Sequence, residues 1–410
     1  MRIALLSGYA RVVGGIETYL ATVIPALVER GHQVAALHEL QSHPERAWVT
    51  DHPGVERWCA DEVQAPELRT RLAAWRPDVV WDHGVIGPLS EISAARIAPS
   101  VYFAHGYFGT CISGAKSHKR PLVEPCGRRF GTACLAIYFP RRCGGRSPLT
   151  MWRQYLNERH RLSRMRRCDA VIVASHHMAQ EYRQHGLGHL VRLVHLPIVP
   201  PGSAAHLSGG WSEGGPWRLL FLGRMDVLKG GDLLLNSLPL VRAQLGRPLE
   251  LIFAGDGPEY ANWRRMSIEI QRQDASIQIQ FPGWIGFEER SALFRNTQLL
   301  VVPSTWPEPF GQVGLEAGHF GVPCAGFRVG GIPSWLRDGV NGYLAPGNPP
   351  AAAGLADAIG RCLRERETYR LLQHGASSVA AEFSLGRHVT ELEEIFQRAM
   401  AKDSPGRSVY

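Results

Sequence analysis

Leu299-Leu300-Val301-Val302, followed closely by Pro307-Glu308-Pro309-Phe310-Gly311-Gln312-Val313-Gly314-Leu315-Glu316-Ala317, carries the strongest structural signal in the chain. Four apolar residues run into a proline- and glycine-bearing segment and then into the helix-permissive Leu315-Glu316-Ala317, which reads as strand, strand-end loop and opening helical turn. In a parallel α/β sheet that junction presents a ligand to backbone N–H groups and to the positive end of a helix. Glu308 and Glu316 bracket it, eight residues apart. A carboxylate accepts hydrogen bonds from two neighbouring hydroxyls, so the pair suits a polyhydroxyl ligand that also carries phosphate. A nucleotide sugar is such a ligand.

The same rhythm extends in both directions. Leu219–Leu222, Glu250–Ala254, Ile277–Phe281 and Pro323–Phe327 are further strand-like runs, with a helical pattern over Leu233–Gln244. The first half opens as a βαβ unit: Ile3–Ser7, a loop from Gly8 to Gly15, a helix over Ile16–Arg30 stopped by Gly31, then Gln33–His38. Asp78–Trp81, Val101–Ala104 and Ala170–Val173 continue it. A chain of 410 residues exceeds one ordinary core. Two successive α/β domains with a cleft between them are expected. The first spans 1–200, a proline- and glycine-rich linker 201–216, the second 217–385, and a helix with a frayed tail 386–410.

The formal charge of +8 is unevenly spread. From Lys116 to Arg167 there are fourteen basic residues against Glu124 and Glu158, so this segment carries +12 and the remainder is slightly acidic. A solvated arginine-rich face is one reading. The other is a patch, residues 116–167, that meets anionic lipid headgroups or a diphosphate-linked acceptor. Four of the eight cysteines, Cys111, Cys126, Cys134 and Cys143, lie in the same insertion, about 106–167. Their spacings of fourteen, seven and eight intervening residues lack the tight pair of a zinc ribbon. Buried thiols and a structural zinc are the two readings. No apolar run approaches the roughly 18–20 residues needed to span a bilayer, and the start lacks a signal peptide's long apolar region. A cytoplasmic protein, peripheral at the inner face of the membrane, is expected.

Gly223-Arg224-Met225-Asp226-Val227-Leu228-Lys229-Gly230-Gly231 lies between a strand and a helix. Arg224 can fork onto a diphosphate, Lys229 adds a point charge, and the glycines let the backbone approach closely. Gly14-Gly15 in the first βα loop would pass beside phosphate or acceptor, but with Gly8 it does not make the Gly-x-Gly-x-x-Gly fingerprint. Glu39 is a weak imitation of a ribose-binding acid, and a nicotinamide dehydrogenase is excluded by the missing fingerprint. His105 ends the Val101–Ala104 strand; His38 and His195 also end strand-like runs and receive no role.

Gly14-Gly15-Ile16-Glu17, Gly223-Arg224…Lys229-Gly230, Gly255-Asp256-Gly257-Pro258, Glu308…Glu316, Gly330-Gly331-Ile332-Pro333 and Asp338-Gly339…Asn341-Gly342 together resemble glycosyltransferase family 4. That family is the retaining group with the GT-B fold, two Rossmann-like domains facing across a cleft with a C-terminal helix returning to the first. The resemblance implies that Arg224 and Lys229 hold the donor diphosphate and stabilise its departure. It implies that Glu316 accepts the ribose hydroxyls, and that Glu308 with the backbone of Phe310, Gly311 and Gln312 holds the transferred sugar. Gly223 and Gly257 would line the donor site, with Trp284 and Ile285 facing the base and His105 near the anomeric carbon. No metal or other cofactor is needed, because the cations replace it. The expected activity is transfer from a nucleoside-diphosphate sugar to a glycan or lipid-linked acceptor in surface polysaccharide assembly. A sugar-nucleotide epimerase and an α-glucan synthase are rivals within the fold. A nucleic-acid-binding protein is the rival from outside it, disfavoured because the basic segment has few interleaved aromatics.

Overall fold

The computed structural model describes residues 1–94, 97–198, 210–211 and 213–401. Most of the linker expected at 201–216 lies outside the described residues, as does the tail beyond 401. The chain divides into two compact units.

The first unit contains Met1–Ala115, Arg128–His195 and the C-terminal segment from Leu385. Its strands are β1 (Arg2–Tyr9), β2 (Gln33–Leu40), β3 (Val55–Cys59), β4 (Val79–Asp82) and β5 (Ser100–Ala104). A two-residue hairpin follows, β6 (Ser117–His118) and β7 (Glu124–Pro125), and falls in Lys116–Gly127, which groups with the second unit. The first unit resumes with β8 (Ala170–Val173) and β9 (Val191–Leu193). Its seven strands run parallel in the order β3-β2-β1-β4-β5-β8-β9. β4, β5 and β8 are buried at every residue, as a parallel sheet covered on both faces requires. β3 and β9 had no sequence signal: Val55–Cys59 exposes Glu56 and Arg57, and Val191–Leu193 is too short to show a period.

The second unit's strands are β10 (Trp217–Leu222), β11 (Leu249–Ala254), β12 (Ile277–Gly283), β13 (Leu299–Val302), β14 (Cys324–Phe327) and β15 (Gly342–Ala345). They too are parallel, in the order β12-β11-β10-β13-β14-β15. Each sheet therefore has one strand where the order reverses, β1 in the first and β10 in the second. Loops leaving the carboxyl ends of that strand and its neighbour open a crevice.

The helix Leu385–Ala401 returns to the first unit. Its apolar side, Val389, Leu392, Ile395 and Phe396, is buried, and Phe396 meets Trp81 of β4 at 5.5 Å. Glu393 accepts from Arg30 and pairs with His32, both at 2.7 Å. Among the described residues no helix is long and apolar enough to cross a membrane.

Candidate functional site

In the second unit the reversal falls between β10 and β13, whose register sets Leu219 opposite Leu299 and Leu220 opposite Leu300. The loop after β10 therefore lies beside the loop after β13. Thr305 donates to the Leu228 carbonyl at 2.9 Å. Gly230 adopts φ +64°, and a Cβ there would stand 2.0 Å from the Pro303 carbonyl oxygen. Only glycine permits that approach. The loop after β11 packs on the other side: Gly223 donates to Ala254, and Met225 to Asp256 at 2.9 Å. A Cβ on Gly257 would meet the Met225 carbonyl at 2.4 Å. These glycines fit loop against loop as well as clearing space for a ligand.

This stacking brings the charged residues to one edge. Lys229, at the end of the short 3-10 helix Val227–Lys229, donates from Nζ to Glu308 Oε1. Ser304 Oγ donates to the same oxygen at 2.6 Å. The Glu308 side chain is 7% exposed and Lys229 29%, so the cation reaches solvent and the anion lies beneath it. The Arg224 guanidinium is exposed and makes no hydrogen bond or ion pair among the described residues. Eight residues past Glu308, Glu316 is nearly buried and accepts from Arg290 Nη1 at 3.4 Å. Burial pushes its carboxyl above the usual range, and the Arg290 guanidinium draws it back down.

Gly330-Gly331 turns behind this segment, with Gly331 donating to the Glu308 carbonyl at 2.6 Å. Trp335 lies fully buried under it and donates from Nε1 to the Phe310 carbonyl at 2.7 Å. The Phe310 ring is itself core, 1% exposed and 5.8 Å from Phe383, so its side chain is not available to a sugar. The role expected there is the backbone's, which a buried ring does not oppose. Gln312 likewise spends its side-chain amide on the Pro197 carbonyl at 3.0 Å. Gly311 has φ +90° and opens the helix Val313–His319. Trp284, 69% exposed, and the half-buried Ile285 follow β12 on the same edge.

In the first unit the reversal falls between β1 and β4. Gly14 and Gly15 are exposed at the start of the helix Gly15–Glu29, and a Cβ on Gly15 would meet nothing within 4 Å. His105, just past β5, bonds through Nε2 to His83 Nδ1 at 2.7 Å and stacks on Phe103 at 4.6 Å. Burial, reinforced by His388, lowers its imidazole to about 3, so it is neutral at ordinary pH. Beside it Tyr19 bonds His388 at 2.8 Å, and His388 in turn bonds the His195 carbonyl at 2.7 Å. His38 bonds Ser7 Oγ at 2.8 Å.

Several participants escaped the sequence reading. His83 follows β4 as His105 follows β5, a parallel that the strand pattern already contained. Ser304 stands two residues past β13. Arg290 and Trp306 carried no signal; the Trp306 ring lies 5.7 Å from Lys229 Nζ, and its buried indole N–H has no partner among the described residues.

The basic segment is not one uniform patch. Lys116 is buried, Arg161 pairs with Glu158 at 2.7 Å while donating to the Gly84 carbonyl, and Arg164 donates to the carbonyls of Val85 and Ser90. These three serve the fold. Cys134 and Cys143 are buried in a small apolar core with Ile112, Tyr138, Met151 and Tyr155. Among the described residues no three His, Cys, Asp or Glu side chains converge as a metal ion requires, so the zinc reading lacks a ligand set.

Two parallel-sheet α/β units, each with a strand-order reversal, and the last helix returned to the first, constitute the GT-B fold. Solved structures agree. An Anabaena protein crystallised with UDP and glucose superposes with a TM-score of 0.66 at 18% identity, over 97% of this chain and 99% of its own. Sucrose-phosphate synthase from Thermosynechococcus elongatus gives 0.67 at 18% identity, over 98% and 100%.

The chain belongs to glycosyltransferase family 4: residues 13–200 match the family described as Glycosyltransferase Family 4, and residues 216–365 match Glycosyl transferases group 1. Among curated relatives, D-inositol 3-phosphate glycosyltransferase of Nocardia farcinica (strain IFM 10152) is 31% identical over 229 residues, 50% of this chain and 48% of the relative. N-acetyl-alpha-D-glucosaminyl L-malate synthase of Bacillus anthracis is 29% identical over 159 residues, 38% of this chain and 40% of the relative. The matches thus span about half, or less, of those relatives' length.

Proposed function

We propose that this chain is a retaining glycosyltransferase that moves a sugar from a nucleoside-diphosphate donor to a glycan or lipid-linked acceptor. The observation that carries the reading is the Lys229–Glu308 pair, backed by Ser304, with Lys229 on the same strand-end loop as the exposed Arg224 at the second sheet's reversal point. Arg224 and Lys229 bind the donor diphosphate. As the glycosidic C–O bond breaks, they stabilise the charge that gathers on the departing phosphate oxygen. That oxygen takes the proton from the attacking acceptor hydroxyl on the same face of the sugar. Glu308 accepts from sugar hydroxyls while holding Lys229 in place, and Glu316 accepts from the ribose. Both carboxylates act as binders, unlike the acid and base pair of glycoside hydrolases.

Gly223, Gly257 and the backbone of Gly311 and Gln312 line the donor, and the backbone at Trp284-Ile285 meets the base. In the first unit Gly14, Gly15 and the neutral His105 form the acceptor side, where a neutral imidazole can share a hydrogen bond with a hydroxyl. A lipid-linked acceptor in surface polysaccharide assembly would have the protein work peripherally at the inner membrane face. A small anionic acceptor is the second reading; the relatives named for D-inositol 3-phosphate and L-malate favour it.

The test is slow donor turnover across a panel of nucleotide sugars, read as released nucleoside diphosphate, with and without membrane extract, inositol phosphate or malate. Release from one donor, abolished by Arg224→Ala and by Glu316→Ala, supports the reading. Neither release nor binding with any donor overturns it.

A further inference from the structure

The helix Pro148–Met165 has two faces of different character. Met151, Tyr155, Glu158, Leu162 and Met165 recur every three or four residues and are buried. The opposite side carries Leu149, Trp152 and Leu156, again at helical spacing, and these are 69%, 49% and 44% exposed. Three large apolar side chains left in solvent on one helical face cost free energy unless something covers them.

The face is also fixed in place. Met151 and Tyr155 pack into the inserted core with Ile112, Cys134, Tyr138 and Cys143, and Tyr138 donates to Gln154 at 2.6 Å. Farther along, Glu158 accepts from the Gly109 N–H at 2.5 Å and from Arg161 at 2.7 Å, while Arg164 reaches the Val85 carbonyl. The helix cannot roll to hide Leu149, Trp152 and Leu156 without breaking these contacts. Their exposure is therefore built in.

Charge selects the occupant. Arg146, Arg153, Arg159, Arg166 and Arg167 are exposed on or beside this helix, and none of the five is in an ion pair among the described residues. The helix's one acidic residue, Glu158, faces inward. A second copy of the chain would set arginine against arginine, so self-association through this face is disfavoured. A bilayer with anionic headgroups satisfies both halves: the arginines meet phosphates, and leucines with a tryptophan enter the headgroup–acyl boundary. The helix is about 27 Å long, at 1.5 Å per residue, and lies along such a surface rather than through it.

We propose that the outer face of Pro148–Met165, centred on Leu149, Trp152 and Leu156 and flanked by those arginines, docks the protein on an anionic lipid bilayer. The inference goes beyond sugar transfer and stands or falls without it, since docking is read with no donor present.

The experiment is sedimentation of the full chain with sucrose-loaded vesicles of phosphatidylcholine alone or mixed with phosphatidylglycerol. Binding is expected to the mixed vesicles, to weaken as salt rises, and to be faint on the neutral ones. The triple variant L149S/W152S/L156S is expected to bind at least about tenfold more weakly, from the apolar burial it loses. R153E/R159E is expected to weaken binding by at least about 25-fold, at roughly fivefold per basic residue lost. Leu371→Ser, at an exposed apolar position of the other unit, is the control and should bind as the parent does. Calorimetric unfolding of each variant separates lost docking from lost folding. Equal binding to neutral and anionic vesicles, or full binding by a folded triple variant, overturns the proposal. So does a dimer of the parent that the triple variant abolishes, which would assign the face to self-association.

Discussion

Replacing Lys229 with methionine separates the two tasks that the Lys229–Glu308 contact performs. The pair is intermediate in burial: Glu308 is 7% exposed at the side chain, Lys229 is 29% exposed. An exposed pair contributes about 0–1 kcal/mol, whereas removing one partner of a fully buried pair costs about 3–5 kcal/mol. With the anion buried, its second partner Ser304 retained at 2.6 Å, and the cation partly wet, Lys229→Met should destabilise the second unit by about 2 kcal/mol. For a unit of this size that is a drop of roughly 4–8 °C in its unfolding midpoint. Scanning calorimetry on Lys229→Met, Glu308→Gln and the double variant reads the coupling directly. Neutralising Glu308 in the Lys229→Met background should restore at least about 1 kcal/mol, since no unpaired buried charge remains. Donor turnover should follow another course: about 10²–10³-fold lower in Lys229→Met, as when an electrostatic stabiliser of the leaving group is removed, with no recovery in the double variant. Loss of stability with turnover intact would make the pair structural and refute the catalytic assignment. Strictly additive stabilities would refute the coupling itself.

Arg290→Leu removes the cation that opposes burial at Glu316, whose carboxyl then rises further; donor binding, followed by calorimetry against pH, should be lost at higher pH than in the parent as pH falls. Gly230→Ala places a Cβ 2.0 Å from the Pro303 oxygen at φ +64° and should destabilise by about 2 kcal/mol or more, whereas Gly15→Ala, with open space, should stay within about 0.5 kcal/mol; chemical denaturation distinguishes them. His38 and His388 are lowered to about 4 and His105 to about 3, so the unfolded chain binds more protons than the folded one below the ordinary histidine value of about 6.5. Stability of the first unit is thus complete above that value and should decline steadily as pH falls from about 6.5 to 4, measured as its unfolding midpoint at each pH.

The sheet strands were legible where burial on both faces forced continuous apolar runs, as in Leu299–Val302 and Ala170–Val173. They were illegible at the margins: β3 mixes Glu56 and Arg57 into its run because it is an edge strand, and β15 begins on Gly342, whose Cβ would stand 1.7 Å from the Cys324 carbonyl. Arg224, Lys229 and Glu308 stand out as charged residues on strand-end loops against an apolar background, and Glu316 as the acid in the first turn of the helix that follows. That the Phe310 ring is core had no local sign: only its contact with Phe383 and the Trp335 bond to its carbonyl reveal it. Partners that arrive from distant parts of the chain, such as His388 for Tyr19 and Arg290 for Glu316, have no local pattern to betray them. The +12 segment was visible as charge, but which arginines serve the fold depends on carbonyls at Gly84, Val85 and Ser90.

The return of Leu385–Ala401 to the first unit has a consequence for the order in which the protein matures. Strands β1 to β9, apart from the short hairpin, are synthesised first, yet Tyr19, Trp81 and Arg30 lack their partners until the last described helix has been made. The second unit is continuous apart from that hairpin segment, so it can close without the last helix, whereas the first keeps an apolar flank uncovered until that helix docks. The first unit, although it is synthesised first, is therefore not complete before the end of the second has been made. A released chain ending at Ser384 is the species most in need of a chaperone.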